Sequence, residues 1–156
     1  YFFKKFKKQK KNTVFFDGDE FRKIFHDDIK YTLRDRDVNA IRLTSLVKYV
    51  SDQKVNLIVS ANITSQRFRN WCRKNVKNYF EIFIDTPMEI LRKRDYKKLY
   101  KKAFSKKIKN VVGVDIKFIK PKKPDLIIEN ISTKQKLYSN YKKILKEIYI
   151  KKIKIY

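Results

Sequence analysis

A β-prone run, Thr13-Val14-Phe15-Phe16, ends at two carboxylates split by a glycine, Asp17-Gly18-Asp19, and a helix-like stretch follows. Acids at the carboxyl end of a buried strand can accept a proton from a substrate hydroxyl and help hold a hydrated magnesium ion. Asp19 is equally placed to cap the helix that follows. Cations recur at comparable places. Arg36 and Asn39 lie three apart in a helical pattern, so they share a face and can contact one ligand together, and Arg42 follows. Arg67 comes after a second strand-like run, and Lys97 and Lys101 come after a third. Each cation taken singly reads as ordinary surface charge. Gathered at one edge with two aspartates, they suit an anionic, multiply phosphorylated ligand, and phosphoryl transfer is chemistry of that kind.

The elements that must position these residues are legible from periodicity. Residues 13–16, 55–60, 80–85 and 125–129 are short, apolar and rich in β-branched or aromatic side chains, as strands are. Between them, 35–53 carries a helical stripe of Ile41, Leu43, Leu46, Val47 and Val50, and 66–74 and 88–94 read as further helices. The helix at 88 is preceded by Asp85-Thr86-Pro87, with proline at a helix start. Residues 133–150 close the chain with Leu137, Tyr141, Ile144, Leu145 and Ile148 on one face, and 1–11 reads as the tail of a basic amphipathic helix. Strands alternating with helices predict an α/β fold, a mostly parallel sheet flanked by helices, in a single domain over 1–156. In such a sheet ligands bind beyond the carboxyl ends of the strands, where Asp17 and Asp19 stand. Residues 96–123 break the rhythm: lysine-dense, with Asp115 the one acid and Gly113 one of two glycines in the chain, they read as a basic lid or a solvated loop.

Composition limits the classes. No apolar run approaches the roughly 20 residues of a membrane span, and one cysteine, Cys72, leaves no internal disulfide, so a cytoplasmic setting is the default expectation. A net charge of +25 points toward polyanions. Lysine, isoleucine, asparagine, tyrosine and phenylalanine are abundant together while glycine is down to 2, as an AT-rich coding sequence produces. Lysine also far outnumbers arginine, the better reader of bases and phosphates, which argues against a nucleic-acid partner.

The blocks FFDGDEFR, KYTLRDRDVNAIR, FIDTPMEILRKRDYKKLYKKA, IKNVVGVD and KPDLII follow one another in an order and spacing that resembles the adenylylsulfate (APS) kinase family over residues 13–129. The resemblance implies a P-loop kinase fold that moves the γ-phosphoryl of ATP to the 3′-hydroxyl of adenylylsulfate with Mg²⁺, in sulfate assimilation, by an enzyme that forms homodimers. It makes Asp17 the base or hydroxyl-orienting group, with Asp19 beside it. It places substrate contacts at Arg22, Tyr31, Arg36 and Asn39, with Arg36 on the sulfate or phosphate end and Tyr31 stacked on the base. The block at Ile63, Thr64 and Arg67 and a lid containing Lys97, Leu99, Val111 and Gly113 complete the implied site; no metal ligand is assigned.

Departures from the family pattern qualify that expectation. The 156 residues contain no G-x-x-x-x-G-K-S/T, the backbone cradle for ATP phosphates, so the first strand and P-loop are expected upstream of Tyr1, and the chain alone is expected to be a poor catalyst. Val111 stands where the family has a lid phenylalanine, removing one aromatic wall from around the base. Two alternatives therefore accompany the main reading: a kinase of another nucleotide-linked substrate, such as a cytidine conjugate in capsule biosynthesis, or a non-catalytic basic remnant.

Overall fold

Asp17 closes the first strand and opens the next helix, and this strand-to-helix turn sets the pattern of the molecule. The computed structural model describes residues 1–26, 28–95 and 97–156. In chain order the elements are α1 (Phe2–Gln9), β1 (Thr13–Asp17), α2 (Gly18–Ile24), α3 (Leu33–Asp52), β2 (Asn56–Ser60), α4 (Gln66–Asn75), β3 (Ile82–Asp85), α5 (Met88–Lys93), α6 (Leu99–Phe104), β4 (Leu126–Glu129) and α7 (Lys134–Ile150). The α/β alternation expected from the sequence is present, with boundaries moved by a residue or two. Helix α3 begins at Leu33 rather than 35 because Thr32 and Asp35 form a capping box, each side chain accepting the other residue's backbone N–H.

All strand pairing among the described residues is parallel, and it falls into two separate pairs. β1 lies beside β2 from Thr13 opposite Asn56 to Asp17 opposite Ser60, and β3 beside β4 from Ile82 opposite Leu126 to Asp85 opposite Glu129. Among the described residues no ladder joins β2 to β3. Each pair has its own core. Phe21, Leu43, Val47, Cys72 and Val76 gather around the first, supported by Phe16 and Leu57. Leu126, Ile128 and Ile144 gather around the second, with Phe2, Phe80, Ile82 and Ile148 against them. A cleft of about 1200 Å³ runs between the two halves.

Three straps cross or flank that cleft. At the amino ends of the strands, residues 153–156 leave α7 through Lys152, which has φ 52°. There Asn56 accepts the Tyr156 N–H and donates to its carbonyl, and Asn78 accepts the Lys154 N–H. Along one side, Arg69 of α4 donates to the Ile119 carbonyl at 3.0 Å and Gln66 accepts the Lys122 N–H. At the carboxyl ends, residues 110–116 form a compact turn between α3 and α5. The basic stretch over 96–123 that the sequence read as a lid or solvated loop contains α6 and this turn; its first residue, Tyr96, lies outside the described residues. No described helix is long and apolar enough to cross a membrane.

Candidate active site

The carboxyl ends of β1 and β3 put Asp17 and Asp85 on the same edge of the cleft. Asp17 is the N-cap of α2: its Oδ1 accepts the Asp19 N–H at 3.0 Å and the Glu20 N–H at 3.3 Å. The capping role weighed for Asp19 in the sequence therefore belongs to Asp17, because α2 starts at Gly18 and the residue before a helix is the one whose side chain reaches its free amides. Asp19 stands exposed in the first turn, also bordering the cleft. Gly18 passes close to the first residues after β2; a Cβ there would come within 3.2 Å of the Ala61 Cβ.

Arg22 and Arg36 stand on the same side of the cleft around Tyr31. Arg22, only 6% exposed, donates to the Lys30 carbonyl at 2.8 Å, and its guanidinium lies 4.9 Å from the Tyr31 ring centroid. Arg36 lies 5.7 Å from the same ring, donating through Nε to the Tyr31 carbonyl at 3.0 Å and through Nη2 to the Asn110 carbonyl at 2.8 Å. Burial first, and the Arg22 charge second, press the Arg36 guanidinium below its ordinary value, while Tyr31, Asp19 and Asp115 oppose the shift. It stays protonated, as arginine does in proteins. Neither Arg22 nor Arg36 forms an ion pair with an acid among the described residues. Asn39, one turn along α3, is 7% exposed, and its Oδ1 has no hydrogen-bond partner. Two positive groups and a buried amide therefore border the cleft beside Asp17 and Asp19.

Of the residues singled out from sequence, Asp17, Asp19, Arg22, Tyr31, Arg36, Asn39, Ile63 and Gly113 border this cleft, and Thr64, Arg67, Lys97, Leu99 and Val111 do not. Thr64 is buried. Arg67 turns outward, its Nη2 2.8 Å from Asp37 Oδ2, and the neighbouring Arg69 is the buried one. Val111 is 6% exposed and points into the protein, while Val112 and Gly113 reach the cleft. A short β-branched side chain fills that interior position, so this face offers no aromatic wall from residue 111.

Tyr100, within the lid block of the family resemblance, borders the cleft as well, as do Met88, Asp85 and Lys120, which sequence reasoning did not select for the site. Asp85 had a readable signal, since it ends a strand just as Asp17 does. Lys120, 2.8 Å from Asp85 and lying over the Phe83 ring, had none. Cys72 belongs to the first core and also lines the cleft; burial, then Glu81, push its thiol up to about 11, which keeps it protonated.

The residues present fit a magnesium ion only in the sparse manner usual for it, with one or two carboxylates, here Asp17 and Asp19, completed by water and phosphate oxygens. They do not fit an ATP phosphate cradle, which needs successive backbone N–H groups in a glycine-rich loop; the two glycines, Gly18 and Gly113, lie on different elements.

A nucleotide-kinase class is what this arrangement of parallel strands, strand-end acids and cleft arginines resembles, and the comparisons agree. The family model described as adenylylsulphate kinase matches residues 2–129. Cytidine diphosphoramidate kinase of Campylobacter jejuni is 38% identical over 146 residues, covering 94% of this chain and 84% of that protein. Adenylyl-sulfate kinase of Buchnera aphidicola is 33% identical over 140 residues, covering 88% of this chain and 66% of that one. The structure of Mycobacterium tuberculosis APS kinase CysC in complex with AMPPNP and APS superposes with a TM-score of 0.76 at 26% identity, over 86% of this chain and 79% of that one. The chain belongs to the adenylylsulfate kinase family.

Proposed function

We propose that the protein acts in phosphoryl transfer from ATP to a hydroxyl of a nucleotide-linked acceptor, and that the 156 residues carry the acceptor half of that site. The observation carrying this reading is the pair Arg22 and Arg36: both border the cleft, and no acid is ion-paired to either. Like charges held together at a part-buried place cost free energy unless an anion joins them, and a phosphate or sulfate ester is the anion a guanidinium fork suits. In this reading Asp17 receives the hydroxyl proton through the carboxylate oxygen not used in capping, Asp19 helps hold magnesium, Tyr31 offers a face to the base, and Asn39 donates or accepts at the sugar. Adenylylsulfate is the acceptor that the family's name suggests.

A cytidine-linked acceptor is a second reading, favoured by one observation. With Val111 turned inward, the 110–116 turn presents no ring to clamp a purine. The Campylobacter relative, named for a cytidine substrate, supports the same reading. Both are tested by titrating the chain with adenylylsulfate and with cytidine 5′-diphosphate in a calorimeter. Binding of either ligand, weakened at least tenfold by Arg36→Ala, is expected; tighter binding of the cytidine compound selects the second reading. If neither binds, the acceptor-site proposal fails.

A further inference from the structure

Residues 110–116 are tied into one unit by a single carboxylate. Asp115 Oδ1 accepts the Val111 N–H at 2.6 Å, and Oδ2 accepts the Asn110 N–H. Inside the turn the Val111 carbonyl receives the N–H groups of Val114, Asp115 and Ile116, and Gly113 N–H reaches the Ile116 carbonyl at 2.7 Å. Val111 and Ile116 are both buried beneath it. The backbone is bent hard: Asn110 has φ 65° and Gly113 φ 89°, the left-handed region that glycine and asparagine tolerate best. Gly113 also lies so close to α5 that a Cβ would come within 2.4 Å of Met88 Cε.

The turn borders the cleft at Val112 and Gly113, and it is tied to a site residue by the bond from Arg36 Nη2 to the Asn110 carbonyl at 2.8 Å. A guanidinium is planar and its donors form a rigid fork. With Nε held by the Tyr31 carbonyl and Nη2 by Asn110, the direction of the remaining nitrogen is fixed. Nη1 makes no hydrogen bond to the described residues and, with the second hydrogen of Nη2, is left to donate to an anion in the cleft. Asp115 itself does not border the cleft.

We propose that Asp115 is a positioning residue of the acceptor site: by holding the amides of Asn110 and Val111 it sets the Asn110 carbonyl where Arg36 grips it, and so aims the Arg36 fork at the ligand's anionic group. The inference rests on the acceptor-site reading above. The two amide donors, Asn110 first, hold the Asp115 carboxyl below the usual carboxylate range against its desolvation, as expected of a charged group used in this way.

The test is a double-mutant cycle read by calorimetric titration of the full chain with adenylylsulfate and with cytidine 5′-diphosphate. Asp115→Ala is expected to weaken the better-bound ligand about tenfold. Asp115→Asn, which keeps an acceptor oxygen, should recover part of that loss, and Lys117→Ala, an exposed neighbour, should change nothing. In an Arg36→Ala background Asp115→Ala should cost little further affinity, because its effect passes through Arg36. Amide exchange at Val111 should quicken in both Asp115 variants. Undiminished binding by Asp115→Ala, or a loss that adds in full to that of Arg36→Ala, would overturn the inference while leaving the acceptor site standing. Binding of neither ligand by the unmodified chain would overturn both.

Discussion

Arg69 and Arg73, at the amino ends of β3 and β4, are ion-paired to acids, whereas Arg22 and Arg36, at the carboxyl edge of β1, form no ion pair among the described residues. Arg73 Nη2 lies 3.2 Å from Glu81 and 2.9 Å from Asp125, and Lys151 closes on the other oxygen of Asp125 at 2.9 Å. Arg69, buried, stands 3.6 Å from Glu81 Oε1, an oxygen that accepts no hydrogen bond, so that attraction is Coulombic. The first cluster is complete within the chain and joins α4, β3, β4 and α7. The second places some of its donors on backbone carbonyls and forms no ion pair among the described residues. Two groups of arginines, similar in sequence, thus divide by their partners into one that holds the fold and one that faces a ligand.

The comparison breaks most visibly at Glu81. Removing one partner of a buried pair costs about 3–5 kcal/mol because the other charge stays behind, and with Glu81→Ala both Arg69 and Arg73 lose a counter-charge. The expected loss of stability is toward the lower end, about 3 kcal/mol, since Arg73 keeps Asp125. Urea unfolding measures it; a change under about 1 kcal/mol would mean that the first cluster does not hold the fold.

Arg36→Ala should behave in the opposite way. Charge-assisted hydrogen bonds contribute about 1.5–3 kcal/mol, so nucleotide affinity should fall about tenfold to a hundredfold while the unfolding midpoint barely moves. A large stability loss with unaltered affinity would place Arg36 with Arg69. Titration with ATP and Mg²⁺ extends the contrast. These residues supply no phosphate cradle, so little thermal stabilisation is expected; tight ATP binding by the 156 residues would contradict that.

Acid should weaken the first cluster. Burial alone raises the Asp125 carboxyl, but the bonds from Arg73, the Glu81 N–H and Lys151 outweigh it and leave it below its ordinary value. A depressed carboxylate contributes stability that is fully present above its unfolded value, about 3.9, and lost as pH falls through the folded value. Stability should therefore decline below about pH 4, and Asp125→Asn should flatten that part of the curve. The smallest effect is expected at Lys120→Ala. Its pair with Asp85 is largely exposed, so the change should stay under about 1 kcal/mol.

Sequence by itself determined the local elements and several of the site residues. Short apolar runs rich in β-branched and aromatic residues located the strands, and helical periodicity located the long helices, because both signals lie within a few residues of chain. The Asp17-Gly18-Asp19 turn was legible for the same reason, as was the short step from Arg36 to Asn39. Only the tertiary structure decided which charges are matched. Arg67 pairs with Asp37, Arg73 with Asp125 and Lys120 with Asp85, while Arg36 donates to the Asn110 carbonyl, all across 30 or more residues that no local pattern links. Nor could the sequence show that Val111 turns inward while Gly113 faces the cleft, since that choice depends on how the 110–116 turn closes on Asp115 and packs against Met88. Periodicity is a property of neighbours along the chain, and neutralisation is a property of neighbours in space.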